Sequence, residues 1–211
     1  GLRALCDEKK LLLFMDGVQD GHFRTGRFQS FQRLLEGVAG ADTFLPDGLS
    51  MAKSLGGGFP IGAFWVRDRH ADLLGPGTHA STFGGTPLGC AVALKIFEVI
   101  EREKLADNAR ELGDWIKTRI HHLSQTYPQV VKGVRGIGLI IGIELEPSHP
   151  RFRESDKPAA MQFVNRLHAA GLLTIPSGTQ VLRLLPPLNL TRPQAEEGIQ
   201  IFESVVKSLA G

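Results

Sequence analysis

The segment Met51-Ala52-Lys53-Ser54-Leu55-Gly56-Gly57-Gly58-Phe59-Pro60-Ile61-Gly62-Ala63 puts a lysine at the end of one strand candidate and a run of glycines before the next. Glycine lacks Cβ, so backbone and a bound molecule can approach closely there. A lysine shielded by Phe59 and Ile61 would be kept neutral enough to attack a carbonyl. Upstream, the apolar run at residues 11–15 ends in Asp16. An acid closing one buried strand and a lysine closing another point to an open α/β sheet, which binds ligands beyond the carboxyl ends of its strands.

The rest of the chain follows that pattern. Residues 11–15 form a continuous apolar run, expected as a strand buried on both faces. Residues 17–27 are a loop, and strand candidates follow within 43–51 and 61–66, giving a mainly parallel sheet with crossovers. A long helix is expected from Thr86-Pro87, with Thr86 as N-cap and Leu88, Ala91, Leu94, Phe97 and Ile100 at helical spacing. A second places Leu105, Ala109, Leu112, Ile116, Ile120 and Leu123 on one face. Residues 134–145 read as two strands meeting at a glycine bend, and residues 158–170 as a helix closed by Gly171. Residues 172–175 and 181–185 read as short strands. The last helix is capped by Thr191, with Ala195, Ile199, Phe202, Val206 and Leu209 on one face. A boundary falls near residues 100–104, dividing the chain into 1–102, a sheet-based piece, and 103–211, a small α/β domain.

Composition narrows the partners. With 24 basic and 22 acidic side chains among 211 residues, net charge is +2 and no basic cluster stands out, so nucleic acid is not an expected partner. No apolar run approaches the ~20 residues of a membrane span. Cys6 and Cys90 do not make a disulfide framework, which favours a reducing, cytoplasmic setting. The opening Gly1-Leu2-Arg3-Ala4-Leu5-Cys6 reads as the middle of a helix, as if the chain were part of a longer one. Gly56-Gly57-Gly58 follows Lys53, the wrong order for a P-loop, and Gly136-x-Gly138-x-x-x-Gly142 has the wrong last spacing for a dinucleotide fingerprint. His22 with His79, and His121 with His122, lack further ligands at metal spacing, so no metal is expected.

Each chemical candidate has a plainer alternative. Lys53 is either a solvated charge or a nucleophile in a glycine-rich apolar setting. Asp16 is either a loop or cap acid, or the acid that keeps a pyridinium nitrogen protonated and the ring an electron sink. Ser81-Thr82-Phe83-Gly84-Gly85-Thr86-Pro87 is either a capped turn or a phosphate cradle at a helix N-terminus. Arg183, inside an apolar strand, needs a partner: a substrate carboxylate, or a structural salt bridge such as one to Glu144.

Taken together, these segments resemble the class III aminotransferases, fold type I enzymes of pyridoxal 5'-phosphate, and within them the acetylornithine and ornithine aminotransferase group. Asp16-Gly17-Val18-Gln19 resembles the family's Asp-Glu-Val-Gln, and Arg24-Thr25-Gly26-Arg27 the loop after it. Residues 52–62 resemble the segment bearing the cofactor-linked lysine, and residues 81–88 the family's Ser-Thr-Phe-Gly-Gly-Asn-Pro-Leu. The resemblance covers essentially the whole chain but only the second half of such an enzyme. It implies that residues 1–102 end the large cofactor-binding domain and 103–211 form the small C-terminal one.

The resemblance also assigns roles. Lys53 holds the cofactor and moves the proton; Asp16 pairs with the ring nitrogen; Val18 packs on the ring face; Gln19 lies near the phenolic oxygen. Thr82 reaches the cofactor phosphate of a neighbouring subunit in a homodimer, Ser81 lies near the amino-acid substrate, and Arg183 grips its α-carboxylate. The implied reaction passes an amino group from N-acetylornithine or ornithine to a 2-oxo acid, 2-oxoglutarate, as in arginine biosynthesis. Transamination of another ω-amino acid, such as 4-aminobutyrate or succinylornithine, is the alternative within the class. An inactive fragment with only a packing role is the alternative outside it, and the isolated chain is expected to be inert. Two positions depart from the family: Gly17 replaces the usual glutamate, removing a carboxylate, and Thr86 replaces the usual asparagine but keeps a good N-cap.

Overall fold

A computed structural model describes residues 1–153 and 155–211. They form two compact units, Gly1–Lys104 and Leu105–Gly211.

The first unit opens with α1 (Leu2–Lys9), which ends as Lys10 turns into the left-handed region. β1 (Phe14–Asp16) then lies parallel to β2 (Gly48–Met51), with Phe14 opposite Gly48 and Asp16 opposite Ser50. Parallel strands cannot be joined by a hairpin. Residues 17–47 make the return and carry α2 (Ser30–Leu34). β3 (Ala63–Val66) adds antiparallel to β2, giving the order β1-β2-β3. α3 (Pro87–Arg102) follows, its first turn capped by Thr86 Oγ1, which accepts from the Gly89 N–H at 3.2 Å.

Asp47 anchors the start of β2. Its carboxylate is 0% exposed and accepts from the Leu13 N–H at 2.9 Å, Arg3 at 2.6 Å and Arg69 at 2.5 Å, with His70 Nε2 at 3.2 Å. Burial pushes its pKa up. The Leu13 N–H and the Arg3, Arg69 and His70 side chains outweigh burial and hold the carboxyl below the usual carboxylate range.

The second unit is a four-stranded antiparallel sheet packed on helices. α4 (Leu105–Thr126) leads into a hairpin of β4 (Val131–Ile137) and β5 (Ile140–Leu145). α5 (Pro150–Arg153) and α6 (Ala159–Ala169) come next, then β6 (Ile175–Ser177), β7 (Val181–Leu184) and α7 (Arg192–Ala210). The strand order is β4-β5-β7-β6. Strict alternation along β5 buries Ile141, Ile143 and Leu145. The helical stripes Ala109-Leu112-Ile116-Ile120-Leu123 of α4 and Ala195-Ile199-Phe202-Val206-Leu209 of α7 join them in one core with Phe163, Leu167 and Leu182. α7 opens with a capping box between Thr191 and Gln194.

Three expectations change. Residues 11–15 are not a strand buried on both faces. Only Phe14–Asp16 is strand, at the sheet edge, and Leu11, Leu12 and Phe14 are 57%, 43% and 51% exposed. A parallel strand is buried only where helices cover both faces of its sheet, and the described residues place no such cover there. Along α3 the buried positions are Gly89, Ala93 and Ile100, while Leu88 and Leu94 face solvent. Residues 87–94 of that helix are apolar all round, so spacing alone did not select its face; the inner side is chosen by Gly89, against which Phe59 and Ile61 pack. Residues 172–174 are not strand either. The Thr174 N and O lie 3.1 and 2.8 Å from His168 Nε2, so a side chain engages backbone groups that a ladder would use.

Candidate active site

The parallel pairing of β1 and β2 brings two chemical groups to one end of the sheet. Asp16 is the last residue of β1, opposite Ser50. Its Oδ1 accepts from the Val18 N–H at 2.9 Å and from the Ser50 hydroxyl at 3.1 Å, which fixes the carboxylate at the strand end. β2 ends at Met51, and Lys53 begins a single tight turn, Lys53–Leu55. Lys53 Nζ donates to Gln19 Oε1 at 2.8 Å, tying the lysine to the loop that leaves Asp16.

Lys53 has φ 50°, the left-handed region that L-residues seldom occupy. Such strain is of order 1–3 kcal/mol and gathers at functional sites. Gly57 (φ 55°) and Gly58 (φ 118°) continue the turn in conformations closed to most side chains, and so return the chain to β3. Phe59 and Ile61 do not shield the lysine as expected. Their side chains lie against Gly89 of α3, and Lys53 is exposed.

Among the other expected residues, Val18 is half-buried beside Asp16. Ser81 and Thr82 lie exposed in the loop before α3, with the Ser81 side chain folded against Gly84. Arg183 belongs to the second unit, on β7, opposite Gly142 of β5 and Ile175 of β6. It does not pair with Glu144, whose carboxylate lies 3.8 Å from Arg135. The buried Arg183 Nε has no hydrogen-bond partner among the described residues. Arg183 lines an apolar cavity of about 650 Å³ with Leu172, Leu184, Pro186 and Ile199. A buried guanidinium nitrogen without a partner is suited to a carboxylate.

Two residues escaped the sequence reading. Ser50 orients Asp16, and only strand register reveals it. Gln29 is 2% exposed and packs into the loop after Asp16. Within that loop His22 and Thr25 are 1% and 2% exposed, the His22 ring lies against Phe28 and Phe97, and burial pushes the His22 pKa down, which keeps the ring neutral. Among the described residues, no group of three His, Cys, Asp or Glu side chains could hold a metal ion, and no helix is long and apolar enough to cross a membrane.

Comparison with known proteins bears on this arrangement. The family model for class-III aminotransferases matches residues 1–206. The acetylornithine aminotransferase of Thermosynechococcus vestitus is 39% identical over 209 residues, covering 99% of this chain and 47% of that protein. That of Gloeobacter violaceus is 38% identical over 208 residues, again 99% and 47%. Among solved structures, the acetylornithine aminotransferase from Elizabethkingia anophelis superposes with a TM-score of 0.82 at 32% identity, over 97% of this chain and 48% of that one. An ornithine aminotransferase from Toxoplasma gondii, described with partial occupancy of PLP at its active site, does so with a TM-score of 0.82 at 34% identity, over 98% and 45%. The chain spans about half the length of the curated relatives it matches.

Proposed function

Since this chain belongs to the class III aminotransferases, we propose that the protein it forms part of transfers the amino group of N-acetylornithine or ornithine to 2-oxoglutarate. The fold is that of a portion of a fold type I transferase, the pyridoxal phosphate-dependent class. The two compact units support reading residues 1–102 as the end of the large domain and 103–211 as the small one.

The observation that carries the proposal is the juxtaposition of Asp16 and Lys53 at the carboxyl ends of adjacent parallel strands, with Gln19 on the lysine and Ser50 on the acid. This donor set fits pyridoxal phosphate: an amine for its aldehyde, a carboxylate for its ring nitrogen. When bound, that cofactor supplies an aldehyde carbon that takes up an amine and a protonated ring that accepts the electron pair left at the substrate Cα. Lys53 would be the amine that anchors it and, as a free amine, the base that takes the proton from the substrate Cα. Asp16 holds the proton on the ring nitrogen, and the Val18 N–H and Ser50 hydroxyl keep the carboxylate aimed. Val18 would pack on the ring, and Gln19 orients the Lys53 amine. Arg183 binds the substrate carboxylate, for which its unpartnered Nε is suited. Ser81 meets substrate, and Thr82, exposed on its loop, meets the phosphate held by a second copy in a homodimer.

Gly17, which gives the site no side chain where the family usually has a glutamate, favours a second reading as a transaminase of another ω-amino acid. The same proposal places the protein in the cytoplasm, in arginine biosynthesis. A donor screen with 2-oxoglutarate on the full-length protein tests it. N-acetylornithine or ornithine should give glutamate fastest. Preference for 4-aminobutyrate or succinylornithine would establish the second reading, and no turnover of any amino donor would refute both.

A further inference from the structure

Gly17 sits between two site residues, and the space around it is already taken. A Cβ built there would lie 2.4 Å from Gln29 Oε1 and 3.0 Å from the Ser50 carbonyl oxygen. A Cβ on Gly21 would lie 2.8 Å from the same Gln29 oxygen and 2.5 Å from the Gly17 carbonyl oxygen. The Gln29 amide is thus wedged against both glycines of the short loop that carries Val18 and Gln19. The loop is pinned on its other sides by Gly17 N–H to Ser50 O at 3.0 Å and Gly21 N–H to Gly17 O at 3.1 Å. Gln29 is held from behind, its own N–H donating to Gln32 Oε1 at 2.9 Å at the start of α2. Its Nε2 is buried and has no partner among the described residues, and its side chain also serves the capping box with Gln32 that opens α2.

Resting on the proposed function, we propose that Gln29 and Gly17 act as one steric unit, in which Gln29 is a positioning residue that presses the Gly17–Gly21 loop into place and so brings Gln19 to Lys53. A side chain at position 17 would claim the volume that the Gln29 amide fills.

The test uses the full-length protein with six variants: Gly17→Ala, Gln29→Ala, their double, Gln29→Met, which keeps the bulk, Gly21→Ala, and Gly21→Ala combined with Gln29→Ala. Two readouts are taken on every variant, the thermal unfolding midpoint without added cofactor and the rate at which pyridoxal phosphate becomes attached to Lys53, and the KM for the amino donor is compared for the singles. Each alanine single should slow attachment about tenfold, as expected for a misplaced reacting group, with the KM for the amino donor little changed. The double of Gly17→Ala with Gln29→Ala should be no worse than either single in both readouts, because the new methyl enters the space the amide vacates. Gln29→Met should restore most of the rate. Gly21→Ala should gain nothing from Gln29→Ala, since its Cβ would still lie 2.5 Å from the Gly17 carbonyl oxygen, whereas the backbone oxygen nearest a Gly17 Cβ is 3.0 Å away. Additive losses in the double of Gly17→Ala with Gln29→Ala would overturn the steric unit. Coupled midpoints with an unchanged attachment rate would reduce Gln29 to packing and overturn its positioning role. A parent protein that attaches no cofactor at all would refute the proposed function and that positioning role together, while the midpoints alone would still decide the steric unit.

Discussion

The two units differ in how far their apolar surface is closed. Leu105–Gly211 buries Ile120, Ile141, Ile143, Phe163, Leu182 and Val206 almost completely, and its sheet and helices close on one apolar core. Gly1–Lys104 leaves Leu11, Leu12, Phe14, Leu88 and Leu94 facing solvent while burying His22, Thr25, Gln29 and Asp47. Polar groups are costly to bury and are retained where geometry or chemistry needs them. The second unit buries polar side chains too, Ser124, His149, Gln162 and Thr174, so what separates the units is the closed apolar core of one against the exposed sheet edge of the other, at whose strand ends the proposed Asp16 and Lys53 sit.

The largest expected effect lies in the first unit. Asp16→Asn keeps shape but removes the charge that would hold a ring proton. Activity of the full-length protein should fall on the order of 10³-fold, with the unfolding midpoint nearly unchanged. A variant within threefold of the parent would break the assignment of chemistry to this unit. In the second unit the effect should reverse in kind. Phe163→Ala empties a site that is 0% exposed and should cost about 3–5 kcal/mol in denaturant unfolding.

Asp47→Asn sharpens the contrast, since it tests a polar anchor in the first unit. Removing one carboxylate from among Arg3, Arg69 and His70 should cost about 3 kcal/mol, toward the low end for a buried cluster because Arg69 stays half exposed. Its folded pKa is depressed, so its contribution is complete above the unfolded carboxylate value near ~4 and is lost as pH falls through the lower folded value. Acid unfolding followed by a first-unit probe such as Trp65 should therefore begin at higher pH in Asp47→Asn than in the parent. Coincident acid transitions would show that the cluster carries no such linkage. The smallest effect is expected at Thr191→Ala, which removes one cap of α7 and should cost about 1 kcal/mol by thermal unfolding.

The second unit was largely legible in the sequence because its helices and strands carry the period of their element. The stripes of α4 and α7 and the alternation of β5 each name their buried face. The first unit was legible in its motifs and less so in its packing. Asp16 and Lys53 announce themselves as charged residues closing apolar runs, yet the run at residues 11–15 did not disclose that β1 would be an exposed edge. On α3 too many apolar residues left the face ambiguous until Gly89 decided it. Ser50 and Gln29 were invisible for another reason: one acts through strand register and the other through space left by glycines, and neither leaves a pattern along the chain.

The central claim is that Lys53, on the first unit, is the amine at which the chemistry occurs. The full-length protein loaded with pyridoxal phosphate, reduced with borohydride and digested, should yield one cofactor-bearing peptide, and its modified residue should be Lys53. Label on another lysine, or a bleached visible band with no labelled peptide, would contradict it.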